Sequence, residues 1–222
     1  MRILAFLLLP ALLSAAEPSV LAEHTGNNDP VTGDATLWER TASGSASYEE
    51  PVDSPLPAWR IADLGNAVIH YSYAPSVKQM DQAEESGWKL SVKCCLEEPS
   101  AGEPNFSVLV GYVDVARNRR FLFGLNATAS GEPLILFDKR KGVDGQIEIP
   151  GLKVKEFHLY EWEYDPVAHS VTLSVDGEQR ASDIPASAIS KADTSRITWG
   201  AGDTHGTGVG AYNLVRFEIL SN

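Results

Sequence analysis

The chain has 222 residues, 43% of them hydrophobic, and a formal net charge of −12. That acidity disfavours a nucleic-acid backbone or an anionic membrane surface as partner, because both are met by clustered Lys and Arg. The apolar content suffices for one large core, and the length does not call for a second domain.

In chain order, Met1-Arg2 precedes an apolar run from Ile3 to Leu13, and Ser14-Ala15-Ala16 then offers small residues ahead of Glu17. Residues 1–16 are therefore predicted to be a signal peptide, which makes the mature protein secreted, periplasmic or extracellular. The run is too short to span a bilayer and no later segment is longer, so no transmembrane segment is expected. No Cys lies near the cleavage point to take a lipid. Residues 17–35 are small and polar and read as an N-terminal arm or linker, with one domain over 36–222. Thr41 to Pro57, punctuated by Gly44, Pro51, Pro55 and Pro57, reads as loop.

Strands are expected from Trp59, over Ala67–Tyr73, and, after one short polar helix within Pro75–Ser86, over Trp88–Glu97, Phe106–Val115 and Phe121–Ala127. Leu134–Lys139, Gln146–Ile149, Arg196–Gly200 and Gly210–Leu220 read as further strands. Turn signals such as Ser130-Gly131 and Pro150-Gly151 separate them. The clearest element is the hairpin from Phe157 to Gly177. His158, Tyr160, Trp162 and Tyr164 share one face of its first arm, opposite Glu161, Glu163 and Asp165. Val171, Leu173 and Val175 alternate with Thr172 and Ser174 in the second. Many short strands with regular turns predict an all-β sandwich of two antiparallel sheets.

Cys94 and Cys95 are the only cysteines. Neighbours in a strand face opposite ways, so Cys94 is expected in the core and Cys95 as a free thiol on the polar face with Lys89, Ser91, Lys93 and Glu97. An intermolecular disulfide through Cys95 is the alternative that export leaves open.

The aromatic arm, the Tyr164-Asp165-Pro166 turn and the strand ending Val175-Asp176-Gly177 resemble a recurrent hairpin of the concanavalin A-like lectin/glucanase superfamily, in its laminin-G-like, bacterial secreted form. His24 to Trp38 and the closing run Ile197 to Ile219 resemble the ends of the same domains, so the likeness is spread over residues 24 to 220. It implies a jelly-roll sandwich and, in many members, a structural Ca2+. Asp63, Asp203 and Asn213 are the side chains that would hold such a hard cation, with Gly200, Gly202 and Gly210 turning carbonyls inward.

Glu161 and Glu163 share a strand face, as paired carboxylates of glycosidases do. The catalytic carboxylate motif of the superfamily's glucanases is absent, as are the lyase strand motifs, so no catalytic residues are assigned. Sugar binding asks for an aromatic platform beside planar polar groups. Trp59, Trp199 and Tyr112 are the platform candidates, with Lys93, Arg120, Glu161 and Glu163 as polar contacts. Asn105 and Asn126 match glycosylation acceptors. The sequence thus reads as an exported, non-enzymatic, lectin-like module whose partner is a glycan. A glycoside hydrolase or polysaccharide lyase of the same fold, or a structural or protein-binding envelope component, are the alternatives.

Overall fold

A computed structural model of the protein describes residues 17–36, 38–43, 48–53, 55–65, 68–99, 108–137, 145–189, 194–202 and 207–221. The expected signal peptide, residues 1–16, lies outside them, as do Asn105 and Asp203.

The alternating hairpin forms as its pattern requires. Strand β11 (His158–Asp165) pairs with β12 (Ser170–Val175), placing Tyr160 opposite Val175, Trp162 opposite Leu173 and Tyr164 opposite Val171. All six of these side chains are buried, and Glu163 and Asp165 are exposed. Asp165 holds the turn by accepting the Val167 and Ala168 amides at 2.7 and 3.1 Å. His169 and Asp176 adopt left-handed backbone, and Gly177 follows at φ 81°.

This hairpin is part of an eight-stranded antiparallel sheet, sheet A. From one edge, β13 (Glu178–Pro185) leads through β12 and β11 to β6 (Trp88–Glu98), then to β15 (Gly208–Ile219), β4 (Ala58–Asp63) and β3 (Tyr48–Val52). The other half of β15 carries β1 (Ser19–Thr25). Sheet B, seven-stranded, runs from β10 (Gln146–Glu148) through β9 (Pro133–Phe137), β8 (Arg119–Ala127), β7 (Val108–Asp114) and β14 (Arg196–Gly202) to β5 (Val68–Tyr73) and β2 (Glu39–Ser43). The chain is an all-β sandwich of two antiparallel sheets.

The inner faces meet in an aromatic core. Trp88 stacks on Tyr112 of the opposite sheet at 4.7 Å and on Tyr164 at 5.5 Å, with Phe121 and Phe217 beside it. Trp162 stacks on Phe123 at 4.7 Å. Such rings bring large apolar area plus about 0.5–1.5 kcal/mol per well-placed pair. Tyr212 of sheet A reaches across. Its hydroxyl donates to the Gly200 carbonyl and accepts the Leu109 amide at 3.2 Å. Both acceptor and donor are backbone groups of sheet B, on β14 and β7. Gly200 sits at φ 141°, and a Cβ there would lie 2.0 Å from the Ile69 carbonyl oxygen. Only glycine fits.

The helix is α1 (Val77–Ser86), opened by a capping box between Ser76 and Gln79 and packed through Met80 and Ala83. It ends at Gly87 (φ 86°), where a Cβ would come within 2.8 Å of the Tyr164 carbonyl oxygen.

Four expectations change. The expected arm over residues 17–35 contains β1, whose His24 and Ala22 are fully buried. The region read as loop before Pro57 supplies the short edge strands β2 and β3. Cys95 does point to the outer face of sheet A, but it is only 2% exposed, packed with Ala58 and Ala211 beneath Val52 and Phe157. The polar face is locally capped, so Cys95 is not a surface thiol. Asn126, 4% exposed with its own side chain accepting the Ala127 amide, is likewise not a surface acceptor for a glycan.

Trp162→Ala is expected to cost about 3–5 kcal/mol in denaturant unfolding, against less than about 1 kcal/mol for Glu163→Ala. Equal losses would refute the register. Burial, with Glu97 nearby, pushes the Cys95 thiol up to about 12, and burial raises Cys94 further. Both cysteines should therefore resist a thiol-specific reagent in the folded protein and react on unfolding; one fast-reacting native thiol would contradict this.

Candidate functional site

The outer face of sheet A brings Lys93, Glu161 and Glu163 together, since Lys93 pairs with Leu159 and Glu161 with Ser91 across β6 and β11. This face is a lattice of mutual pairs. Lys89 lies 3.1 Å from Glu218 and 3.7 Å from Glu161, and Glu161 also accepts the Ser91 hydroxyl at 3.3 Å. Arg60 bridges Glu50 and Glu97, and Arg216 holds Glu23 at 2.6 Å.

Arg120 is not part of this face. It belongs to β8 in sheet B, where its backbone pairs with Ser187. Strand alternation tells which side of a strand a residue takes, and not which sheet the strand joins.

Trp59 and Trp199 are buried, at 8% and 0% exposure, so neither presents a ring to a sugar. Trp59 donates its indole N–H to the Tyr71 hydroxyl at 3.0 Å, and Tyr71 in turn donates to Glu49, which holds Arg40. This relay joins the two sheets near their β3 and β2 edges. Trp199 lies between His24 at 4.8 Å and Tyr71 at 4.6 Å, with Trp38 edge-on. Both tryptophans are core residues.

Of the candidate cation ligands, Asp203 lies outside the described residues, and Asp63 and Asn213 stand apart. Asp63 pairs with Gly208 at one end of β4, is buried, and accepts the Gly65 amide at 3.0 Å. Asn213 lies beyond Tyr212, at the other end of that pairing, and donates to the Pro57 carbonyl at 2.7 Å. Among the described residues no group of three or more His, Cys, Asp or Glu gathers around one point.

Two polar groupings escaped the sequence reading because their members are far apart along the chain. The first joins α1 to the sandwich. Tyr164 donates to Glu84 at 2.9 Å, while Arg119 donates to Tyr164 at 3.0 Å and also reaches Glu84. His169 lies 3.0 Å from the same hydroxyl. Arg, Tyr and His are residue types of a lyase, but here each is engaged by another member of the group, and the arrangement fastens the helix.

The second is an open cleft of about 360 Å³ at the end of the sandwich near Pro99, lined by residues 127–131 and 153–155. Its floor is tied down. Val154 is buried, donates its amide to the Gly131 carbonyl at 3.0 Å and accepts the Leu96 amide at 2.8 Å. The Thr128 and Ser130 hydroxyls are 2.8 Å apart, and Ser130 donates to Glu132 at 2.9 Å. The Gly151 amide and the Ser130 hydroxyl hold the Glu132 carboxyl below its usual range, so it stays an ionised acceptor. His158 fixes the far wall: one ring nitrogen lies 3.1 Å from the Lys153 carbonyl and the other 2.7 Å from Asp176. Both partners are acceptors for ring N–H groups. Lys153 and Lys155 flank the buried Val154 and are exposed.

No family model matches the chain. It is 22% identical to a sialidase of Vibrio cholerae serotype O1, over 85% of this chain and 25% of the sialidase. The chain therefore spans about a quarter of the length of the curated relatives it matches. Among solved structures, a carbohydrate esterase of the Shiga toxin-encoding bacteriophage phi24B superposes with a TM-score of 0.66 at 13% identity, covering 92% of this chain and all of the other. Domain 4 of an extracellular GH43 arabinanase from Geobacillus stearothermophilus, solved with arabinotriose, gives 0.54 at 12% identity over 93% and 95% of the two chains. At these identities the likeness establishes the shared β-sandwich. No helix among the described residues is long and apolar enough to cross a membrane.

One titration follows from the geometry of sheet B. His70 of β5 sits between Gly200 and Thr41, and burial, aided by the Arg196 charge, lowers its pKa to about 4. The unfolded chain then binds more protons than the folded one between about pH 4 and pH 6.5, so stability rises with pH across that window and is lost as pH falls through it. His70→Gln should remove up to about 3 kcal/mol of that dependence in urea unfolding; unchanged pH profiles would refute the assignment.

Proposed function

We propose that the protein is an exported, non-enzymatic glycan-binding module of the concanavalin A-like, laminin-G-like type. The observation that carries this reading is the end cleft, a recess with hydroxyls, backbone edges and two ammonium groups on a hydrogen-bonded frame. Small-ligand sites are concave and largely preformed, and this one matches. The ion-paired face bearing Glu161 and Glu163 offers no comparable recess among the described residues. Glu161 and Lys89 there would have to exchange existing partners for sugar hydroxyls.

Binding is favoured over cleavage by the chemistry at hand. Hydrolysis of a glycosidic bond needs one carboxyl that can donate a proton and a second that attacks or activates water. Glu132, the carboxylate of the cleft's own turn, has both oxygens engaged and stays ionised. The likeness to an arabinanase domain solved with arabinotriose, along nearly the whole of both chains, supports a carbohydrate role. Likeness to sialidases and an esterase fits a domain that serves glycan-processing proteins.

The mature chain should bind at least one saccharide on a glycan array without releasing reducing ends or unsaturated products. Glu161→Ala with Glu163→Ala should leave binding within about twofold, because that face lies outside the cleft. Turnover that disappears in the double variant would establish the hydrolase reading instead. Failure to bind any glycan would favour a protein-binding role.

A further inference from the structure

We infer that the end cleft takes an acidic saccharide, one bearing a carboxylate or sulfate group, which pairs with Lys153 and Lys155 while Thr128 and Ser130 meet its hydroxyls. This rests on the glycan-binding reading above and narrows it to a ligand class.

The argument starts from where the positive charge is spent. In a chain of net charge −12, Arg40, Arg60, Lys89, Arg117, Arg119, Arg180 and Arg216 are each within ion-pair distance of a carboxylate. Lys153 and Lys155, like Lys78, Lys93 and Arg196, form no ion pair among the described residues, and these two alone of the five line the cleft. Two ammonium groups at the rim of one recess, with Glu132 of the same turn already engaged by Ser130 and Gly151, leave positive charge there for a ligand.

The frame places both lysines on the one cleft. Val154 is 1% exposed and pinned through both its amide and its carbonyl, so the residues on either side of it project to the surface. The Lys153 carbonyl accepts the Glu156 amide at 2.9 Å and faces His158 at 3.1 Å, which fixes the segment before a ligand arrives. Thr128 and Ser130 line the same cleft. Hydroxyls beside ammonium groups match a sugar ring that carries an oxyanion, whereas a neutral sugar would leave the charges unused.

The test is a glycan panel in which every acidic saccharide is accompanied by its carboxyl-reduced or desulfated counterpart, with poly-glutamate as a non-saccharide polyanion. The mature protein should bind acidic members about tenfold more tightly than their neutralised counterparts, and the preference should shrink as salt rises. Lys153→Gln with Lys155→Gln should abolish the preference at an unchanged melting temperature, and the double arginine variant should keep it. Equal binding of neutralised counterparts, or an unaltered preference in the glutamine variant, overturns the acidic class and leaves the glycan module standing. Equal binding of poly-glutamate overturns it as well, since bare charge would then suffice. If no saccharide binds, the glycan reading falls and this inference falls with it.

Discussion

The Tyr212 hydroxyl is the point on which the two sheets agree. Apolar burial pulls the sheets together without setting their relative position, because the hydrophobic effect is not directional. A hydrogen bond is directional. Tyr212 leaves β15, crosses the core, and takes both the Gly200 carbonyl and the Leu109 amide of sheet B. Those two residues are themselves partners across β14 and β7. Replacing Gly200 would push the backbone away from Ile69 and so move the acceptor that Tyr212 needs. The aromatic stacks around Trp88 and Trp199 fill space at the offset this bond permits. Trp59, bonded to Tyr71, makes a second directional link near the β3 and β2 edges.

Much of the fold was legible because its strands alternate. The β11–β12 hairpin shows its core face residue by residue, and the bounds of β5, β6, β8 and β14 differ from expectation by a few residues at most. What escaped has physical causes. β1 buries few side chains and is secured by backbone pairing to the last strand, so its sequence carries little periodicity. β2 and β3 are short edge strands, and β3 contains Pro51, which an edge position tolerates. Cys95 was misplaced because alternation gives the direction of a side chain but says nothing of Val52 and Phe157 lying above it.

The candidate site was less legible than the fold. Ser130-Gly131 and Pro150-Gly151 mark turns in the sequence, and nothing in their spacing shows that the turns meet. The cleft arises because Glu132, between β8 and β9, accepts the Gly151 amide and Gly131 accepts the Val154 amide. Tertiary bonds between loops set the arrangement, so local pattern is silent about it. The tryptophans misled for a related reason: a platform and a core ring have the same sequence signature, and only burial separates them.

The pairing of β1 with β15 has a kinetic meaning. Ser19 lies opposite Ile219, and the twelve residues of β15 also provide the partners for β6 and β4. The strand at the centre of sheet A therefore follows in sequence every strand that pairs with it. Neighbouring elements β4 and β6 can find each other only through it, and β1 has no other partner in the sheet. Contacts this distant along the chain make closure slow, in the millisecond-to-second range typical of all-β sandwiches. A chain in which β15 has not yet formed cannot complete sheet A, because β1, β4 and β6 all pair with it. Until then β1, β4 and β6 each present an unpaired edge.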